Sequence, residues 1–173
     1  MRLIPQLTTL KENIMDNYTI NPQTLTLRKA GTVAGTTNTL SFTAIPLPYL
    51  IRGRHYEKAT VTNGVVPLVD FNSGVAFVNI LPNQGSVFGL GYDAAGNLRV
   101  VQGQTLGLDV TGNFFVQPDG PTTPDTIAMF ALLVVKVGAT GATWTFGTSN
   151  FAGATGVTYT FIDVAGPLDR RLA

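Results

Sequence analysis

Acid–base or nucleophilic chemistry in this chain would have to be built from one histidine, His55, ten carboxylates and four serines, with no cysteine available. A serine nucleophile needs an adjacent base and a turn that exposes its hydroxyl. None of Ser41, Ser73, Ser86 or Ser149 lies in a G-x-S-x-G elbow, and His55 sits among charges in Arg52-Gly-Arg-His-Tyr-Glu-Lys58. Glycosidic cleavage needs two carboxyl groups facing each other, and aspartates distant in sequence can meet for that purpose. With only two glutamates, Glu12 and Glu57, such a pair is not favoured. Gly89-Leu-Gly91 lacks the third glycine of a dinucleotide loop, and no EF-hand or histidine spacing offers a metal site. Asn17-Tyr-Thr19 matches a glycosylation sequon without an export signal beside it. The expectation is a protein that is not an enzyme and takes neither cofactor nor metal.

The heptad from Arg52 to Lys58 fits two roles. Its arginine forks could bind carboxylates on a partner. Alternatively, it is a solvated strand edge kept from aggregating by charge. The aromatics divide in the same way. Phe42, Phe71, Phe77, Phe88, Phe114, Trp144, Phe146 and Phe161 fall where a β core wants them, whereas exposed rings would stack on sugars or single-stranded bases. Which role applies depends on the elements that carry these residues.

Leu3, Leu7, Leu10 and Ile14 recur at helical spacing and predict a short helix over about Pro5 to Asp16. A helix this short is marginal alone and must lie on its own domain or on another subunit. Met15 could equally serve as the start. After Asn21-Pro22 the texture turns to Thr, Gly, Val and Phe with frequent turn residues, which reads as all-β. Strands are expected at 24–28, 39–45, 49–52, 56–62, 75–81, 86–92, 97–102, 104–110, 113–116, 126–137, 142–147 and 157–164. Tyr92-Asp93-Ala94-Ala95-Gly96-Asn97 predicts a hairpin joining the sixth and seventh of these, with Gly96 in the left-handed position. Thr126–Val137 lacks alternation, as a central strand covered on both faces would. The Pro-rich stretch Gln117–Asp125 before it reads as a surface loop. An echo links Gly138-Ala-Thr-Gly-Ala-Thr-Trp-Thr-Phe146 to Gly153-Ala-Thr-Gly-Val-Thr-Tyr-Thr-Phe161. It predicts two matched strands in one sheet, with Trp144, Phe146, Tyr159 and Phe161 on the buried face. The domain division expected is an arm over 1–23 and a β body over 24–173.

The 173 residues suit one core, and only 12% of them are charged against about 25% in an average soluble domain. Mean hydropathy is +0.24, yet no apolar run approaches the roughly 18 residues of a membrane span. No membrane association is expected, and no secretory signal is recognised at the start. Net charge is +1, which disfavours a broad basic face for nucleic acid. Residues 1–58 carry seven basic side chains against three acids, and residues 59–169 two against seven. The two parts would attract each other within a chain or between copies. A β body this poor in charge would show water mainly Thr, Asn, Gln, Gly and Ala. The simplest account is a surface covered by copies of itself, a homo-oligomer, or by a partner.

The run Thr43-Ala-Ile-Pro-Leu-Pro-Tyr49 to Arg52, the hairpin Gly91-Tyr-Asp-Ala-Ala-Gly-Asn-Leu-Arg-Val-Val-Gln-Gly103, and the tail elements Val135-Lys-Val-Gly138, Trp144-Thr-Phe-Gly-Thr-Ser-Asn150 and Phe161-Ile-Asp-Val164 resemble small virion proteins of tailed bacteriophages. Within that group the chain is most similar to capsid decoration, or cement, proteins. The resemblance implies a β-sandwich or jelly-roll module on the outside of the phage head, assembled in the host cytoplasm, that clamps neighbouring major capsid subunits. It implies no catalytic residues. The N-terminal helix departs from the pattern and leaves the subclass open. Leu3, Leu7, Leu10 and Ile14 are expected as arm contacts, and Arg52, Arg54, Arg170 and Arg171 as charge contacts. A tail, baseplate or fibre-attachment protein would share the composition. A carbohydrate-binding module would require exposed aromatics and clustered carboxylates.

Overall fold

The computed structural model describes residues 23–43 and 46–166. The expected helix with Leu3, Leu7, Leu10 and Ile14, the Asn17 sequon, and Arg170 and Arg171 lie outside them. The described residues are all-β and form ten strands, β1 (Leu25–Thr26), β2 (Thr32–Ala34), β3 (Thr39–Phe42), β4 (Leu47–Ile51), β5 (Arg54–Lys58), β6 (Val61–Val65), β7 (Gln84–Tyr92), β8 (Leu98–Gly107), β9 (Ala128–Val137) and β10 (Val157–Asp163). They pair antiparallel in three sheets with orders β1-β4-β5, β2-β3-β6 and β10-β9-β7-β8.

The four-stranded sheet is built by alternation. On β7, Phe88, Leu90 and Tyr92 face the main core, while Val87 faces the other way towards Met129 and Leu132. β9 has apolar residues on both sides for the same reason: Phe130, Leu133, Val135 and Val137 join the main core and Met129 and Leu132 the smaller cluster. It lies between β10 and β7, the interior position its unbroken apolar run implies. β3 and β4 send Leu40, Phe42, Leu47, Tyr49 and Ile51 into the same main core. Phe42, Tyr92 and Phe130 pack with centroids 5.1–5.8 Å apart. Ring pairs at such spacing add about 0.5–1.5 kcal/mol each beyond burial.

The hairpin at Asp93–Asn97 forms as its residues dictate. Tyr92 pairs with Leu98, Gly96 takes φ 75°, and Asp93 Oδ1 accepts the backbone N–H groups of Ala95 and Asn97 at 2.9 Å each. A second tight turn joins β4 to β5 through Arg52 (φ 49°) and Gly53 (φ 76°), the two left-handed residues of a type I′ loop.

Several strand expectations fail. Segments 75–81 and 142–147 form no strand; Ala76 bridges Val69, and Ile80 and Trp144 exchange N–H···O bonds of 2.8 and 3.0 Å. The first copy of the echo therefore forms no strand ladder with the second: Gly138 N and Ala142 N donate to Gly156 O and Thr155 O at 2.8 and 3.3 Å, and beyond them Ser149 Oγ accepts the Thr145 N–H and Ser149 N donates back to Thr145 O, closing a turn. The aromatics still converge. Phe151 touches Trp144 at 5.7 Å, Tyr159 at 5.5 Å and Phe161 at 5.9 Å, so the rings of the two copies share one cluster through a ring outside both. Segment 56–62 divides into β5 and β6 on different sheets, and 97–102 and 104–110 fuse into β8 with a bulge between Gln102 and Thr105. Segment 113–116 supplies only a bridge from Phe114 to Leu108, and β2 has no counterpart among the expected strands. The first strand is shorter than 24–28, and Arg52 belongs to a turn.

Candidate interaction surface

The charged heptad becomes the tip and outer strand of one sheet. β5 pairs only with β4, so its other edge is unpaired among the described strands. Arg52 at the tip is exposed but engaged. Its Nε donates to Asp125 Oδ2 at 3.0 Å and its Nη2 to Asp125 Oδ1 at 2.9 Å, while its backbone N donates to Thr24 Oγ1 at 3.0 Å. The bidentate hydrogen bonds raise the Arg52 pKa and hold the Asp125 carboxyl below its usual range. Three bonds thus fix an arginine in a left-handed conformation that costs a non-glycine residue about 1–2 kcal/mol. Arg54 lies 6.0 Å from the Tyr56 ring, which itself stacks on Tyr49. His55 and Glu57 are exposed on the same strand. The structure does not bring Arg52 and Arg54 into one anion-binding pocket.

A longer element crosses the opposite side of the four-stranded sheet. Residues 108–127 run back over β7 and β8, and the strands carry glycine where the strap lies closest. A Cβ at Gly85 would fall 2.7 Å from Phe114 Cε1, one at Gly89 3.0 Å from Pro121 Cγ, and one at Gly91 against the Ile127 methyl. A Cβ at Gly107 would lie 3.2 Å from Phe115 Cδ2, and one at Gly103 in ordinary contact with Pro121 at 3.8 Å. The missing side chains make the bed, and Phe114, Pro121 and Ile127 fill it. Lys136 Nζ closes over the Phe114 ring at 5.1 Å.

The strap opens with a hairpin that leaves apolar side chains in water. Asp109-Val-Thr-Gly-Asn113 repeats the bonding of Asp93-Ala-Ala-Gly-Asn97: Asp109 N donates to Asn113 O at 2.8 Å, Asp109 Oδ1 accepts from Thr111 N and Asn113 N, and Gly112 takes φ 79°. The Thr111 hydroxyl bond, with these backbone bonds, holds the Asp109 carboxyl below its usual range. This turn presents Val110 at 104% exposure, and its foot presents Phe115 at 72% and Val116 at 66%. Elsewhere Val65, ending edge strand β6, is 85% exposed, and Leu68, Val69, Val75 and Val78 are exposed on the segment between β6 and β7.

The few charges of the described residues are largely engaged within the chain. Arg99 Nε donates to Asp93 Oδ2 at 2.8 Å, and Lys58 Nζ donates to Gly96 O at 2.7 Å. Asp163 accepts the N–H groups of Gly31 and Thr32, and buried Asp70 those of Ser73 and Gln102. Beside the few exposed charges, such as Arg54, Glu57 and Asp119, what faces outward is partly apolar. Sequence reasoning weighed the arginines and, although it expected strands at 104–110 and 113–116, did not single out the turn between them as a contact, which the repeated D-x-x-G-N spacing was there to mark. Among the described residues no group of three or more His, Asp or Glu is placed to hold a metal ion. No protein-family model, curated protein or solved structure matches the chain.

Proposed function

We propose that the chain is a structural component of a tailed-phage virion, a capsid decoration protein without catalytic activity that binds the outside of the head and clamps major capsid subunits. Its body is read as a β-sandwich of jelly-roll character, the four-stranded sheet sharing its core face with the side chains of β3 and β4. The observation that carries this reading is the row of apolar side chains held in water on fixed elements, Val110, Phe115 and Val116 foremost. The turn bonds of Asp109 and a glycine bed hold them, so a partner would meet a preformed surface at little ordering cost. A low-charge, apolar exterior suits long-lived association between copies and with a lattice. The sequence resemblance points to the phage head as that lattice. The mechanism is linkage: a ligand of the assembled shell that binds separated subunits less well stabilises the shell by mass action.

Densitometry of purified particles tests the assignment. A head lattice should carry on the order of hundreds of copies, whereas about six to a few dozen would move the protein to the tail, as symmetric assemblies of those sizes require. Particles lacking the protein should open at lower temperature and regain their resistance when it is added back. Unchanged resistance would remove the clamp.

A further inference from the structure

We propose that the polar cleft between β8, the turn after Asp70 and the middle of the strap is a binding site for a neutral saccharide. The cleft has a volume of about 420 Å³, within the range of small-ligand sites. Asn72, Gln102, Gln104, Asp119 and Thr122 line it, and Pro121 is buried beneath.

Its walls are fixed by bonds that leave other polar groups unengaged. Gln102 is clamped at both ends of its amide, Oε1 accepting from Val78 N at 2.7 Å and Nε2 donating to Val78 O at 3.0 Å. Asp70 Oδ1 accepts the Gln102 N–H at 2.8 Å, tying the turn to β8. Asn72 Nδ2 donates to Thr122 O at 2.7 Å and joins the turn to the strap. Pro121 packs against the Gly89 and Gly103 positions, so the strap cannot sink further. The Asn72 Oδ1, both ends of the Gln104 amide, the Asp119 carboxylate and the Thr122 hydroxyl make no bond to another described residue, and all four residues are exposed.

Amides that both donate and accept, with one carboxylate acceptor and one hydroxyl, match a ligand whose groups are themselves hydroxyls. Among the described residues the lining holds no cation and one anion, which selects against phosphate, sulfate or uronate. The buried pyrrolidine supplies a small apolar floor for a sugar C–H face. Among the described residues no aromatic ring and a single carboxylate line the cleft, so it is not the aromatic platform of a dedicated carbohydrate-binding module, and the affinity of a single sugar would be millimolar. The site is separate from the 108–116 hairpin and stands whether or not the chain belongs to a virion.

The test is titration of the intact protein with the methyl glycosides of glucose, galactose and N-acetylglucosamine, and with glucuronic acid, followed by amide NMR. At least one neutral glycoside should shift the side-chain amides of Asn72 and Gln104 and the backbone amides of Gly103 and Gly120, leaving Val110 and Phe115 unmoved. Gln104→Ala and Asp119→Ala should each weaken that binding about tenfold, the loss expected for a hydrogen bond to a polar or charged group. Both lie on the surface, and unchanged amide spectra away from the cleft will show that the variants fold. No shift with any neutral glycoside, equal binding of glucuronic acid, or binding indifferent to both variants would overturn the proposal.

Discussion

Two buried threonines in the first strands show how the sign of a residue's contribution follows from its partners. Thr26 Oγ1 is shared between the carbonyls of Met129 at 2.8 Å and Val164 at 2.9 Å, joining β1 to β9 and the end of β10. Thr32 Oγ1 is buried with no partner among the described residues. Thr26→Val should lower unfolding free energy by about 1–3 kcal/mol, since it takes the donor from a buried and a part-buried carbonyl, whereas Thr32→Val should be neutral or stabilising. Urea denaturation of the two variants checks both signs. Asp93 adds a pH dependence. Burial opposes its ionisation, but bonds from Asn97 N, Arg99, the Asn97 amide and Ala95 N outweigh that and hold its carboxyl below the usual range. Its folded pKa is depressed, so the stability it confers is complete above the unfolded value of about 3.9 and is lost as pH falls through the folded value. Asp93→Asn should therefore unfold more easily than the parent at neutral pH, and the difference should shrink below about pH 4 in acid titrations followed by circular dichroism.

At the scale of elements, the strap and its glycine bed form one unit. Gly91 lies under the Ile127 methyl and 2.8 Å from Ala128 O at the ideal Cβ position, so a side chain there must displace backbone. Gly91→Val is expected to cost about 1–3 kcal/mol, as overpacked sites do, and to free the strap before the sheet melts. Limited proteolysis between Gln117 and Asp125, rising in the variant while the circular dichroism of the sheet persists, is the expected readout. The hairpin at Asp93–Asn97 was legible because its bonds are local. The strands expected at 75–81 and 142–147 were not, because their alternating apolar residues satisfy burial without a ladder: Phe77, Trp144 and Phe146 reach the core from loops tied by isolated bridges, Ile80 to Trp144 and Ala76 to Val69. Alternation reports which side chains are buried, and pairing partners decide whether the backbone is a strand.

For the whole molecule the decisive property is what it leaves uncovered. Serine at Val110, Phe115 and Val116 together should raise solubility and abolish attachment to particles, with the melting temperature within a few degrees of the parent, since exposed side chains away from bonds contribute about 0.5 kcal/mol or less each. Retained attachment would show that the hairpin is not the contact. Sedimentation of the parent should show concentration-dependent association that the triple variant loses.

The amino-acid order alone determined the all-β character, the Asp93 hairpin, the interior place of Thr126–Val137 and the scarcity of charge, since each follows from neighbours in sequence or from composition. Only the tertiary structure decided that Arg52 closes on Asp125, that glycines on β7 and β8 make room for a strap, and that Asn72, Gln104 and Asp119 share a cleft. Those contacts join residues tens of positions apart, and no local periodicity encodes a meeting fixed by how three sheets pack.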